Sequence, residues 1–438
     1  MPHSAKLKPP KSAEPHKEGK RRERLSDDQL LDLVQRQTFL FFWDGAQPAS
    51  GLARDRTGRL ADPDDDIVAI GGSGFGVMAL IVACERGWVT RSQALARLST
   101  MLDCLERATC YHGLYPHFMH GQTGATKPFS RKDDGADLVE SAFLFQGLLC
   151  ARAYFDREAQ DEKRIRDRIT YLWSEAEWDW YTQGSRIALT WHWSATNGFA
   201  LNHPVRGWNE CLIAYVLAAS APRYAMAAEA YHEGWAQSRQ FANGRSFEGV
   251  ELPLGPDWGG PLFFTHYSFC GIDPRGLSDR YADYWKQNLA HTRINYAYCV
   301  RNPLGYKGYG PNCWGLTAGD SVNGYAGHSP TSDKGVITPS AALASFPYAP
   351  EEAMAALRRF HDDLGDTIWG RFGFIDGFSE QYDWYADSYL AISQGPIVVM
   401  IENYRSGLIW KLFMSIPEIQ EGMKRLGFKS PHFMSTVA

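Results

Sequence analysis

Residues 133–149 read DDGADLVESAFLFQGLL, and this stretch decides the fold class. Its carboxylates Asp133, Asp137 and Glu140 fall at i, i+4 and i+7, so on a helix they share one face. Leu138, Phe143, Leu144 and Phe145 make much of the remainder apolar, as in a helix buried in a core. The pattern predicts a helix from about Asp133 to about Tyr154. Like charges so placed destabilise a helix and push one carboxyl pKa upward, the condition of a general acid. The same residues also fit a plain helix start, with Asp133 and Asp134 capping it.

Helix follows helix on either side. Ser26 opens a capping box with Gln29, ahead of Leu30, Leu31, Leu33 and Val34 at helical spacing. Further helices are predicted over 74–86, 90–107 and 158–175. Others start near Trp208, Arg223, Ser278, Thr338, Pro350, Ala386 and Tyr404. Pro350 suits a first helical position, and Glu351 and Glu352 suit the positive end of the helix dipole. About twelve helices result by this periodicity. Strand alternation is scarce, so residues 26–438 are expected to form one all-α domain. The connecting loops 44–73, 109–133, 177–207, 242–266 and 303–336 are long and rich in Gly, Pro, Asp and aromatics. Long ordered loops usually build a site, and five of them suggest one crowded rim.

Composition narrows the function. The chain has 438 residues with a net charge of −5, which disfavours attraction to nucleic acid or anionic membranes. A core explains the 15 Trp and 21 Tyr less well than it explains Phe, because each of those rings carries a polar group that wants a partner, although a large aromatic core is the competing reading. Such rings suit stacking against sugars. The eight cysteines form no C-x-x-C pair, and several sit in apolar helical stretches. They read as buried hydrophobes, which favours a reducing compartment. Residues 1–25 are basic and Pro-rich without an apolar core, so a disordered tail is expected in place of a signal peptide. As written the chain reads as cytoplasmic; removal of an export signal would make it periplasmic. No apolar run reaches the ~18 residues of a membrane span. A monomer is expected.

Other residues invite chemistry. Glu210, in GWNECL (207–212), precedes the apolar run Leu212–Tyr215, so partial desolvation would raise its pKa toward an acid role. It also fits a first-turn acid facing the helix dipole. His117 and His120 form H-x-x-H but lack a third ligand at a fitting spacing, so no metal site is expected. Trp191-His192-Trp193, the stretch 306–315 and the stretch 382–387 mix aromatics with Asn, Asp and His, as sugar subsites do. There is no phosphate-binding loop and no G-x-S-x-G elbow. The glycines at 71, 72, 74 and 76 suit close backbone approach at a helix start.

Taken together, FFWDGAQPASGLARDR (41–56), GGSGFGVMAL (71–80), DDGADLVESAFLFQGLL (133–149), GWNECL (207–212) and DSYLAISQGPIVVMIENYRSGLIW (387–410) resemble the glucoamylase-like proteins of glycoside hydrolase family 144. These are endo-β-1,2-glucanases and sophorose-releasing relatives. The resemblance covers nearly everything after the tail. It implies an (α/α)6 barrel with its loops forming a cleft on one face, hydrolysis of β-1,2-glucan with inversion, and no cofactor. It places the candidate catalytic acids on Asp133, Asp137 and Glu210. Glu140 is added from helical geometry. In the expected reaction Glu210 protonates the departing oxygen while a carboxylate of the 133/137 cluster activates water. Inversion sets the two roughly 6.5–9.5 Å apart. Arg54, Asp55, His117, Trp193, Tyr309, Trp314 and Glu402 are the candidates for holding sugar hydroxyls or faces. A transglycosylase or phosphorylase on the same fold, a polysaccharide lyase and a non-enzymatic glucan-binding protein are the competing readings. The acid cluster weighs against the last.

Overall fold

A computed structural model of the chain describes residues 25–58, 66–184 and 187–433. The predicted tail therefore lies outside the described residues except for Leu25, whose carbonyl accepts from Arg358. The α-helices of the described residues are, in order, α1 (Asp27–Trp43), α2 (Ile70–Glu85), α3 (Arg91–Arg107), α4 (Leu138–Tyr154), α5 (Gln160–Ser174), α6 (Leu212–Ser220), α7 (Tyr284–Arg301), α8 (Pro339–Leu343), α9 (Pro350–Arg358), α10 (Gly365–Ile368), α11 (Ala391–Arg405), α12 (Leu408–Met414) and α13 (Pro417–Arg425). None is long and apolar enough to cross a membrane.

Helices alternate between an inner and an outer ring because their sequences alternate in kind. α2 is buried from Ile70 through Ala83, α4 from Leu138 through Ala151, and α6 and α8 throughout. A helix apolar on all sides has to be enclosed, and these, with α11 and the 3-10 turns Leu262–Thr265 and Ser268–Cys270, line the ring. The outer helices are amphipathic. α3 buries Leu95, Leu98, Leu102 and Leu105 against α2, and α5 buries Ile165, Ile169 and Trp173 against α4. α1, α7, α9 and α13 cover α11, the 262–265 turn, α8 and α6. The result is an (α/α)6 toroid. α2 and α4 cross so closely that a Cβ on Gly147 would stand 2.1 Å from the Gly74 carbonyl oxygen, so glycine here is a packing requirement.

Several boundaries differ from expectation. α4 begins at Leu138, not Asp133. Asp137 is extended, donates its N–H to Tyr115 at 2.8 Å, and belongs to a short strand, Ala136–Asp137, paired with His192–Trp193. The three acids are thus brought together by a turn, a cap and a first helical turn, not by one helical face. α6 starts at Leu212, leaving Trp208, Asn209 and Glu210 in the preceding turn. The stretch 242–266, read as loop, contains a hairpin, Ala242–Phe247 against Val250–Leu254. The Ser26–Gln29 capping box forms as expected.

Candidate active site

The amino-terminal ends of α2, α4, α6 and α11 open toward one side of the toroid. There they surround a cavity of about 440 Å³ whose lining includes Ala69, Glu140, Glu210 and Ile392. Long loops complete the walls with Asp55, Arg56, His117, Phe129, Trp191 and Tyr325. A hollow of this size takes a small organic ligand.

Each acid is placed by its local backbone. Asp137 caps α4: its Oδ1 accepts from the N–H groups of Val139 and Glu140 at 2.9 and 3.0 Å. Its other oxygen meets His117 Nδ1 at 3.0 Å. Glu140 follows in the first turn, and its Oε2 accepts from the Gly71 N–H at 2.7 Å. The turn that carries Glu210 is pinned from behind, because the Ser268 hydroxyl donates to the Glu210 carbonyl and accepts from the Ile213 N–H. Asp133 lies beyond the cap, 3.3 Å from His192 Nδ1, without hydrogen-bonding geometry to it.

The electrostatics sort these carboxyls into two kinds. Burial pushes Glu210 up to about 7, and the charges of Asp137 and Glu140 add to the shift. Burial likewise pushes Glu140 up to about 7, although the His117 charge opposes it. Asp137 is driven upward by burial, yet the His117 hydrogen bond, the charges of His117 and His192 and the Glu140 N–H hold it below the ordinary carboxylate value. His117 is pushed up to about 9 despite burial, because Glu140, Asp137 and Asp55 favour its charged form. His192 is raised against burial by Asp133 and Asp137. The cavity thus combines carboxyls protonated near neutral pH with a carboxylate kept ionised by two histidines.

Of the residues nominated from sequence, Asp55, His117, Glu140 and Glu210 line this cavity, and Asp133 and Asp137 stand just behind it. The others do not line it. Arg54 is buried beside the Val68 backbone. Trp193 turns aside to His112 and Trp180, its ring 4.7 Å from the first and 6.0 Å from the second. Tyr309 donates to Asp333 at 2.8 Å and Val336 at 3.2 Å. Trp314 is fully buried, its Nε1 donating to Glu352 at 3.1 Å, so its ring is core rather than platform. Glu402 lies at the opposite end of the ring, in an ion pair with Arg86. The structure adds Arg56, Trp191, Phe129 and Tyr325 in their place. Arg56 stands two residues from the nominated Arg54, and its guanidinium is held by Asp320 at 3.2 Å. Trp191 and Tyr325 fall in stretches whose aromatic content was visible, but which ring faces inward was not. Among the described residues no cluster of His, Cys, Asp or Glu is arranged to hold a metal ion.

The profile of the Glycoamylase family, described as glucoamylases, matches residues 202–417. A crystal structure of a glucoamylase-like protein from Bacteroides uniformis is 56% identical with a TM-score of 0.92, covering 94% of this chain and 100% of that one. The endo-β-1,2-glucanase of Chitinophaga pinensis, solved with sophorotriose and glucose, is 51% identical with a TM-score of 0.91, covering 93% of this chain and 100% of that one. The exo β-1,2-glucooligosaccharide sophorohydrolase of Parabacteroides distasonis is 43% identical over 424 residues, which are 92% of this chain. The chain spans 58% of the length of that curated relative.

Proposed function

The chain belongs to the glucoamylase-like family, glycoside hydrolase family 144, and from that premise we propose that it hydrolyses β-1,2-glucan with inversion at the cleaved carbon. The observation that carries this reading is Glu210: a half-buried carboxyl facing a sugar-sized cavity, with its pKa raised to about 7. Such a group keeps a substantial share of its protons near neutral pH, where an ordinary carboxyl is ionised, and can deliver one to a departing glycosidic oxygen. A carboxylate of the Asp133–Asp137 pair takes the proton of the attacking water, and His117 and His192 keep Asp137 ionised. Glu140 and Asp55 bind sugar hydroxyls from one wall, with Arg56 beside them. Trp191, Phe129 and Tyr325 supply faces for the rings. Inversion requires the two acting carboxyls to stand roughly 6.5–9.5 Å apart, with room for a water between them, where a covalent intermediate requires them closer.

The test is incubation with linear β-1,2-, β-1,3- and β-1,4-glucans, followed by chromatography of the products and NMR of the first anomer formed. Shorter β-1,2-linked products with α-configured new ends are expected. Products longer than the substrate, or ends that retain the β configuration, would refute hydrolysis with inversion.

A further inference from the structure

Two aromatic stretches, 306–315 and 382–387, lie outside the cavity built around Glu210. The loops bring them together elsewhere on the molecule. Tyr306 and Tyr382 meet with ring centroids 6.4 Å apart and planes at 60°. With Ser321, Asn323, Asp333 and Lys334 they line a second hollow of about 250 Å³.

One hairpin joins this hollow to the catalytic cavity. Strands Ala318–Gly319 and Ala326–Gly327 pair antiparallel, and Ser321 and Gly324 close the turn with reciprocal backbone hydrogen bonds of 3.0 Å. Ala318 and Tyr325, on the arms, line the catalytic cavity. Ser321 and Asn323, at the tip, line the second hollow. The two hollows thus share one hairpin as a wall.

The hollow is held rigid from behind. The Asn302 side chain clamps the Tyr306 backbone with two hydrogen bonds of 2.8 Å. The Asp333 carboxylate is fixed by the Tyr309 hydroxyl at 2.8 Å and the Gly335 N–H at 2.9 Å. Gly335 lets the Tyr306 ring settle, since a Cβ there would stand 2.8 Å from it. In front, Tyr382 is 51% exposed. Lys334 and Asn323 stand exposed beside it. A fixed pair of phenol rings with exposed donors and acceptors in a concavity is the arrangement that binds a neutral polyhydroxylated ring.

We infer that this hollow is a distal subsite, holding a glucose unit of the glucan remote from the bond being cut and setting the preference for longer chains. The inference rests on the reading of the chain as a β-1,2-glucan hydrolase. Binding energy gained only by long substrates lowers their KM and leaves short ones untouched.

The experiment compares the full chain with Y382A and N323A on polymeric β-1,2-glucan and on the shortest β-1,2-oligosaccharide that the wild type cleaves. For Y382A, KM on polymer is expected to rise about five- to tenfold, the scale of one lost aromatic contact, while kcat/KM on the short substrate stays within about twofold. N323A is expected to move in the same direction by less. Wild-type turnover with unchanged polymer KM in both variants, or equal losses on both substrates, would overturn the subsite and leave the hydrolase reading standing. Absence of any wild-type turnover would overturn both.

Discussion

Glu140 Oε2 lies 2.7 Å from the backbone nitrogen of Gly71, so the first turn of α4 is tied to the first turn of α2 at the floor of the cavity. The contact leaves no room for a side chain: a Cβ on Gly71 would stand 2.5 Å from that oxygen and 3.0 Å from the Phe143 ring. Gly71→Ala is therefore expected to displace Glu140, lower stability by ~1–3 kcal/mol as overpacking does, and depress kcat on glucan. Glu140→Gln keeps an acceptor for the N–H and is expected to hold stability within ~1 kcal/mol. Urea midpoints and initial rates for the two variants check this; equal losses of stability would argue against the tether.

The alkaline limb of the pH–rate profile identifies the acid. Glu210, raised to about 7, carries its proton below that pH and loses it above, so kcat/KM falls as pH rises past neutrality. Glu210→Gln is expected to lose ~10²–10⁴-fold in kcat and to lack that limb. Because the Glu140 charge helps raise Glu210, Glu140→Gln is expected to shift the limb toward lower pH. A limb that stays in place in both variants would assign it to another group.

The inner ring was legible because α2, α4 and α6 are apolar on every side, a pattern that survives without knowledge of neighbours. The candidate acids at 133, 137, 140 and 210 were legible as residue types. Their mutual arrangement was not, since Asp137 is held by Tyr115 and by the strand at 192–193, partners tens of residues away. Trp314 and Glu402 share the residue types of sugar sites, and only their partners, Glu352 and Arg86, separate core and ion pair from cleft. Arg56 earns its place through Asp320, a partner no local pattern announces.

Asp376 had no signal at all, yet it is buried beside the cavity wall, accepting from the Asp320 N–H at 2.6 Å and the Ser393 hydroxyl at 2.7 Å. Burial pushes it up to about 7, partly opposed by those hydrogen bonds. Between its unfolded value of ~3.9 and about 7, the folded state binds the extra proton, so this group's contribution to stability declines as pH rises through that window. Asp376→Asn removes the titration. Relative to wild type, the variant is expected to gain on the order of 1–4 kcal/mol between pH 4 and pH 8. Denaturant midpoints at the two pH values give the difference, and a constant offset would show that Asp376 does not titrate in this range.

Arg86 and Glu402 close the end of the toroid away from the cavity, where α2 and α11 finish. The guanidinium is bidentate, with Nε 2.8 Å from one carboxylate oxygen and Nη2 3.0 Å from the other. Glu402 is 1% exposed and also accepts from Ser406 at 2.6 Å. Removing one partner strands a buried charge, so Arg86→Met is expected to cost ~3–5 kcal/mol. Arg86→Met with Glu402→Leu removes both charges and is expected to recover much of that loss, since two apolar side chains need no ionic partner. Through all of this the folded protein is expected to keep its kcat and KM on glucan, because the pair lies at the far end of α2 and α11 from the cavity. A raised KM in Glu402→Leu, with stability restored by the double substitution, would instead return Glu402 to the sugar-binding surface.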